Sequence, residues 1–151
     1  MTNLAAGFIK NIKAVFRTPH SARTPVVTRD NLALIERTAL EKCDVSDGVR
    51  DSVIDVPQQC RFSLARVKAC ANDVAAADCL TKTQRHAIEA IYAPAVGAGN
   101  EIYPGQPVGA EGEDEGWRLW ITGVDDGLLA ETNGEASSLQ LAFGPELFKF
   151  M

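Results

Sequence analysis

Apolar and polar positions follow helical spacing over three stretches of the chain and lose it between them. Residues 3–16 place Leu4, Phe8, Ile12 and Val15 on one stripe and Lys10, Lys13 and Arg17 on another, which predicts an amphipathic helix with a core-facing side and a solvated basic side. A membrane-surface helix is the rival reading. The segment "TPHSARTPVVT" that follows carries Pro19 and Pro25 and reads as an extended connector. Asp30 is placed to cap a second helix over 31–42 that turns Leu32, Ile35, Ala39 and Leu40 inward.

From 61 to 79 the chain is alanine-rich, with Phe62, Leu64 and Val67 as expected anchors and Cys70 and Cys79 enclosing a small loop. Thr81 caps a third predicted helix over 82–93, whose apolar face is Ala87, Ile88, Ile91 and Tyr92, and Pro94 stops it. Beyond lies a stretch rich in glycine and acid, with a short strand expected around Ile102 and Tyr103 and with Trp117 and Trp120 close behind. The run "EGED" at 111–114 reads as a solvated loop. The last residues are apolar to the end, leaving Phe148, Phe150 and Met151 exposed, as at a cut edge.

Composition narrows the class. With 151 residues, 46% hydrophobic and 23% charged, one domain, 1–151, is expected. A net charge of −5 without a basic run gives no surface for nucleic acid or an anionic membrane, and neither partner is expected. Lys10 and Lys13 interrupt what a signal peptide would need as an apolar run. Yet Cys43, Cys60, Cys70 and Cys79 are clustered as two short-range bridges of an exported protein would be. A zinc site is the competing reading, disfavoured because no C-x-x-C pair exists and His20 and His86 lie away from ligand spacing. An internal piece of a longer, secreted or periplasmic precursor reconciles bridges with the missing export signal.

The chemistry suggested locally sits in "CDVSDGVRDSVIDVPQQC", residues 43–60. Calcium takes about six to eight oxygen ligands at about 2.3–2.6 Å. Asp44, Asp47 and Asp51 offer carboxylates, Val49 and Val53 offer carbonyls, and Gly48 permits a tight turn. Three acids beside a helix C-terminus repel one another and the helix end, so a calcium ion is expected; the alternative is a set of solvated turn aspartates. The spacing is not that of an EF-hand. A Cys43–Cys60 bridge would pin this loop to its helix for about 3 kcal/mol in the chain-entropy model. No serine lies in a G-x-S-x-G elbow and neither histidine suggests a triad, so no catalytic residue is assigned; His86 reads as an ordinary helix residue.

These residues carry a resemblance. "CDVSDGVRDSVIDVPQQCRF", then "CLTKTQRHAIEAIYAPAVGAGNEIYPGQPVGAEGEDEGW", resembles the lid domain of the tannase and feruloyl esterase family, most specifically over residues 30–120. The resemblance implies an exported serine esterase in which a lid, inserted into an α/β-hydrolase core, binds a structural calcium and closes over an aromatic ester. It implies Asp44, Asp47 and Asp51 side chains and Val49 and Val53 carbonyls as calcium ligands, and Cys43–Cys60 as a bridge, leaving Cys70–Cys79. Ser52 departs from the family's usual glycine; if that position needs positive φ, serine costs of order 1 kcal/mol. The family's serine nucleophile, aspartate and histidine motifs do not occur.

The fold expected is α+β: a mainly helical lid-type domain with a small antiparallel hairpin, long loops, two disulfides and a calcium loop. The function expected is the calcium-binding lid segment of a carboxylic ester hydrolase, inactive alone, whose aromatic ester substrate is reached through the missing hydrolase core. Tyr103, Trp117 and Trp120 are candidate aromatic wall residues, though core is the commoner role of such side chains. The alternative is a stand-alone secreted binding module stabilised by calcium and disulfides.

Overall fold

Helices dominate the residues described in this computed structural model, which are 2–15, 27–123 and 138–149. The expected connector up to residue 26, with His20, lies outside them, as do the side chains of the apolar chain end. In chain order the elements are α1 (Thr2–Val15), α2 (Arg29–Cys43), α3 (Lys82–Tyr92), β1 (Ala95–Gly97), β2 (Asn100–Tyr103) and α4 (Leu139–Lys149). A π-helical stretch, Asp114–Thr122, precedes α4 and is interrupted at Gly116. The sequence pattern gave no sign of it.

Both long loop-to-helix transitions begin in the same way. Thr81 caps α3 as expected, its hydroxyl accepting the Gln84 N–H while the Gln84 side chain accepts the Thr81 N–H at 2.9 Å. α2 is capped by Thr28, not by Asp30: Thr28 and Asn31 make the equivalent reciprocal pair, and the helix starts at Arg29. Asp30 then lies in the first turn, where its charge still suits the helix N-terminus.

The main core joins Leu32 and Ile35 of α2 to Ile88 and Ile91 of α3, with Leu64 and Val67 below and Trp117 and Ile121 from the π-helical stretch closing it. Phe62 is half-buried against this core. A smaller cluster, Ala39, Cys43 and Ile54, sits under the acidic loop. Of the aromatic candidates, Trp117 is core, Trp120 is exposed against Phe143, and Tyr103 is half-buried.

β1 and β2 pair antiparallel, with Val96 opposite Glu101 and Gly97 opposite Asn100. Ala98 and Gly99 both have positive φ (50° and 80°), as a two-residue hairpin turn matched to strand twist requires. α1 packs on α3, α4 and β2. Among its described side chains Gly7 and Asn11 are buried, and Phe8 and Ile12 of the expected stripe are half-buried, Ile12 against the main core. A Cβ on Gly7 would stand 2.7 Å from the Tyr103 ring, so only glycine lets the helix approach. Lys10, expected in solvent, donates to Ile91 O at 2.8 Å and to Ala93 O, covering the exposed carbonyls that end α3. Partial burial holds its pKa below the usual lysine value.

Disulfides join Cys43 to Cys60 and Cys70 to Cys79, with Cα atoms 5.6 and 4.9 Å apart. Among the described residues the result is a mostly helical α+β fold with one small hairpin and two bridges. The calcium loop in the expected fold class is corrected: among the described residues no group of three or more His, Cys, Asp or Glu is placed to hold a metal ion.

Candidate functional site

The loop that leaves α2 was the sequence's strongest pointer to chemistry, and its carboxylates turn out to serve the loop's own backbone. Asp44, buried at 6% exposure, accepts the N–H groups of Asp51 (3.2 Å) and Ser52 (2.8 Å) on one oxygen. Asp47 accepts the Val49 N–H at 2.8 Å, and Asp51 accepts the Val53 N–H at 3.1 Å. These are the short-range bonds by which aspartate shapes turns. Ser46 returns its hydroxyl to Cys43 O at 2.6 Å, so the end of α2 is met without a cation. Positive φ at Gly48 (96°) and Ser52 (66°) lets the chain double back. Asp55 joins the group: its hydrogen bond with Asp47, and then the charges of Asp47 and Asp51, raise its pKa.

The expected calcium ion, held by Asp44, Asp47, Asp51, Val49 O and Val53 O, is therefore overturned, and with it the calcium-binding part of the expected function. Sequence spacing registers charge density but not where each carboxylate finds its donors. The three carboxylates accept four backbone N–H groups of the loop itself, those of Val49, Asp51, Ser52 and Val53.

A second site had no such signal. An apolar cavity of about 440 Å³ opens between Pro57, Gln58 and Cys60 on one side, Phe62 and Tyr92 at its back, and the strap Pro104–Val108 on the other. Among the described residues no charged side chain lines it. Its walls are stiff for separate reasons: the Cys43–Cys60 bridge ties one, prolines 57, 104 and 107 restrict φ, and Gly105 lies so close to Tyr92 O that no Cβ would fit. Gln106 N–H donates to Ile91 O at 3.2 Å, seating the strap on α3. Phe62 meets Tyr92 edge to face at 6.4 Å, and Tyr92 meets Trp117 at 5.3 Å. The clue available in sequence was the spacing of proline and glycine in "YPGQPVG", which marks a rigid turn but not its partner.

Beneath the strap lies Glu111, with no solvent exposure. This corrects the reading of "EGED" as solvated. Its carboxylate accepts the Tyr92 hydroxyl and the Gly109 N–H, the latter 3.1 Å from both oxygens. Burial raises the pKa of Glu111 against the opposing effect of these donors. Burial and the neighbouring negative charge of Glu111 also push the Tyr92 phenol well above its usual value, so it remains a donor. Glu36 on α2 is raised by burial and then by the charges of Glu111 and Glu113, opposed by a backbone bond from Gly112. His86 is exposed on α3.

Residues 9–143 match the family model described as "Tannase and feruloyl esterase". An uncharacterized esterase of Xanthomonas campestris pv. campestris is 35% identical over 99 residues, covering 64% of this chain and 17% of the relative. Feruloyl esterase C of Talaromyces stipitatus is 29% identical over 98 residues, covering 64% of this chain and 18% of the relative. The crystal structure of an esterase from Aspergillus oryzae superposes with a TM-score of 0.61 at 26% identity, over 73% of this chain and 21% of that one. The chain thus spans less than a fifth of the length of these curated relatives.

Proposed function

The chain belongs to the tannase and feruloyl esterase family, and on that premise we propose that it is a single lid-type domain, residues 1–151, of a larger α/β-hydrolase that cleaves aromatic esters. The observation that carries this reading is the family match over residues 9–143, which takes in α2, α3, both bridges and the cavity. In this reading the serine nucleophile, the histidine that moves its proton and the aspartate that orients the histidine belong to the hydrolase core. The lid excludes water and shapes the pocket for the ring.

The cavity supports that division of labour. A wall of Phe62, Tyr92 and three prolines, uncharged throughout, suits a neutral aromatic ring. The amides of Gln58 and Gln106 are at hand for a phenolic hydroxyl or an ester carbonyl. Two disulfides accord with a secreted or periplasmic enzyme. No helix among the described residues is long and apolar enough to cross a membrane.

A chimera tests this. The corresponding segment of feruloyl esterase C of Talaromyces stipitatus is replaced by this chain and methyl ferulate hydrolysis is followed. Retained hydrolysis, with KM raised by Phe62→Ala, supports the assignment. A folded chimera that hydrolyses methyl ferulate with KM indifferent to Phe62→Ala removes the cavity from the substrate path, and turnover by the isolated chain would contradict catalytic dependence on a core.

A further inference from the structure

The cavity between α3 and the strap offers a ligand few hydrogen-bonding groups. Among the described lining residues three are prolines, which carry no backbone N–H. The Cys60 N–H is spent on Pro57 O at 3.1 Å and the Gln106 N–H on Ile91 O at 3.2 Å. The Tyr92 ring forms the back wall, but its hydroxyl is donated to the buried Glu111. Two polar side chains remain, of which Gln58 is exposed and Gln106 half-buried.

Gln106 is the better held of the two. Its backbone is fixed on α3 by the bond to Ile91 O, and the preceding residue, Gly105, fits against Tyr92 O where no Cβ could stand. One end of its side-chain amide is engaged, Nε2 donating to the Tyr103 hydroxyl at 3.3 Å. The other end has no partner among the described residues, and no such bond holds the Gln58 side chain. An amide fixed at one end meets a ligand group at the other with little further loss of side-chain freedom.

We propose that the cavity selects an aromatic ring bearing a single free hydroxyl, as in 4-hydroxycinnamoyl esters, with Gln106 as the specificity-determining residue. A phenolic hydroxyl both donates and accepts, so it suits the unengaged end of the amide. Further hydroxyls, as on a trihydroxyphenyl ring, leave water for prolines, Phe62 and the face of Tyr92, where nothing pairs with them. The walls do not turn to supply a partner, because the strap is seated on α3 and the opposite wall is tied by the Cys43–Cys60 bridge. This selectivity rests on the ring-binding reading of the preceding subsection and narrows it from aromatic esters in general to one class of ring.

Three probes that differ only in ring hydroxyls test it: methyl cinnamate, methyl 4-hydroxycinnamate and methyl 3,4,5-trihydroxycinnamate, each titrated calorimetrically into the oxidised full chain. The 4-hydroxy ester is expected to bind about two- to tenfold more tightly than the unsubstituted ester, the range of one hydrogen bond. The trihydroxy ester should bind at least about tenfold more weakly than the 4-hydroxy ester. Gln106→Leu should abolish the preference for the 4-hydroxy over the unsubstituted ester, whereas Gln58→Leu should leave it intact. Should Gln106→Leu fail to fold, Gln106→Met, closer to glutamine in shape, takes its place, and the ranking of the probes is read on the parent chain in any case. A preference that survives loss of the Gln106 amide overturns the role of that residue. Trihydroxy and 4-hydroxy esters bound equally well overturn the selectivity while leaving the cavity a site for rings. Absence of binding by all three removes the cavity assignment itself, and this inference with it.

Discussion

Gln84 donates its side-chain N–H to the side-chain oxygen of Asn31 at 2.9 Å, and each of the two is the third residue of a helix whose threonine cap it completes. The starts of α2 and α3 are thereby locked to one another in the core. Asn31 uses its own amide N–H on Cys79 O at 3.2 Å, which ties the Cys70–Cys79 loop to the same point. Both side chains are buried, so whatever one loses the other cannot recover from water.

Asn31→Ala is expected to destabilise the chain by about 2–4 kcal/mol, as a cap is lost together with the buried hydrogen bonds to Gln84 and to Cys79 O. Gln84→Ala should cost less, because Asn31 retains its bonds to Thr28 and Cys79. Urea unfolding of both single variants and the double variant should give a coupling energy of roughly 1 kcal/mol, and simple additivity would show the two caps to be independent.

The two bridges should differ in worth according to the loops they close. Replacing both cysteines of the pair separated by 17 residues, Cys43 and Cys60, costs about 3 kcal/mol in the chain-entropy model. Replacing Cys70 and Cys79, separated by 9, costs about 2.6 kcal/mol in the same model. The first pair carries a further signature: it anchors one wall of the cavity, so its loss should also weaken binding of methyl 4-hydroxycinnamate. Equal loss of binding on removing the second bridge would contradict that assignment.

Ser52 occupies the left-handed region at φ 66° without a side chain suited to it. Ser52→Gly should raise stability by about 0.5–1 kcal/mol, the relief of backbone strain exceeding the entropy glycine adds to the unfolded chain. Its N–H bond to Asp44 is unaffected by the change. A thermal midpoint lowered by the substitution would mean that the serine side chain contributes more than its backbone costs.

Stability against pH gives the sign for the buried acids. Glu111 and Glu36 both have folded-state pKa values raised above 4.5, so folding favours their protonated forms. Their contribution is complete below the unfolded value and is lost as pH rises through the raised folded values. Glu111→Gln should therefore flatten the decline in stability above pH 4.5 relative to the parent chain, measured by urea unfolding at a series of pH values. A steeper decline in the variant would show that the Tyr92 and Gly109 donors outweigh burial.

What could be read along the chain was what neighbouring residues decide. The apolar spacing of α3, its Thr81 cap and the stop at Pro94 all act within one or two helical turns, and the structure bears them out. The strand near Tyr103 and the turn at Gly48 were legible for the same reason, since each is a property of a few consecutive dihedral angles. The α2 cap was misplaced by two residues because Asp30 is a good cap in isolation, whereas Thr28 is paired with an Asn31 that Gln84 and Cys79 hold in place.

The family also lay within reach of sequence alone, because cysteine, aspartate and glycine spacings are themselves linear patterns. Tertiary structure alone decided what each charge meets. The aspartates of the loop after α2 turned to backbone donors, Glu111 left solvent for a hydroxyl on α3, and Lys10 crossed from α1 to the carbonyls ending that same helix. None of these partners could be named beforehand, since a carboxylate accepts from any donor, and an ammonium group donates to any acceptor, that packing brings near. Which one arrives is settled by how the helices close on their shared apolar core, and that closure depends on every contact at once.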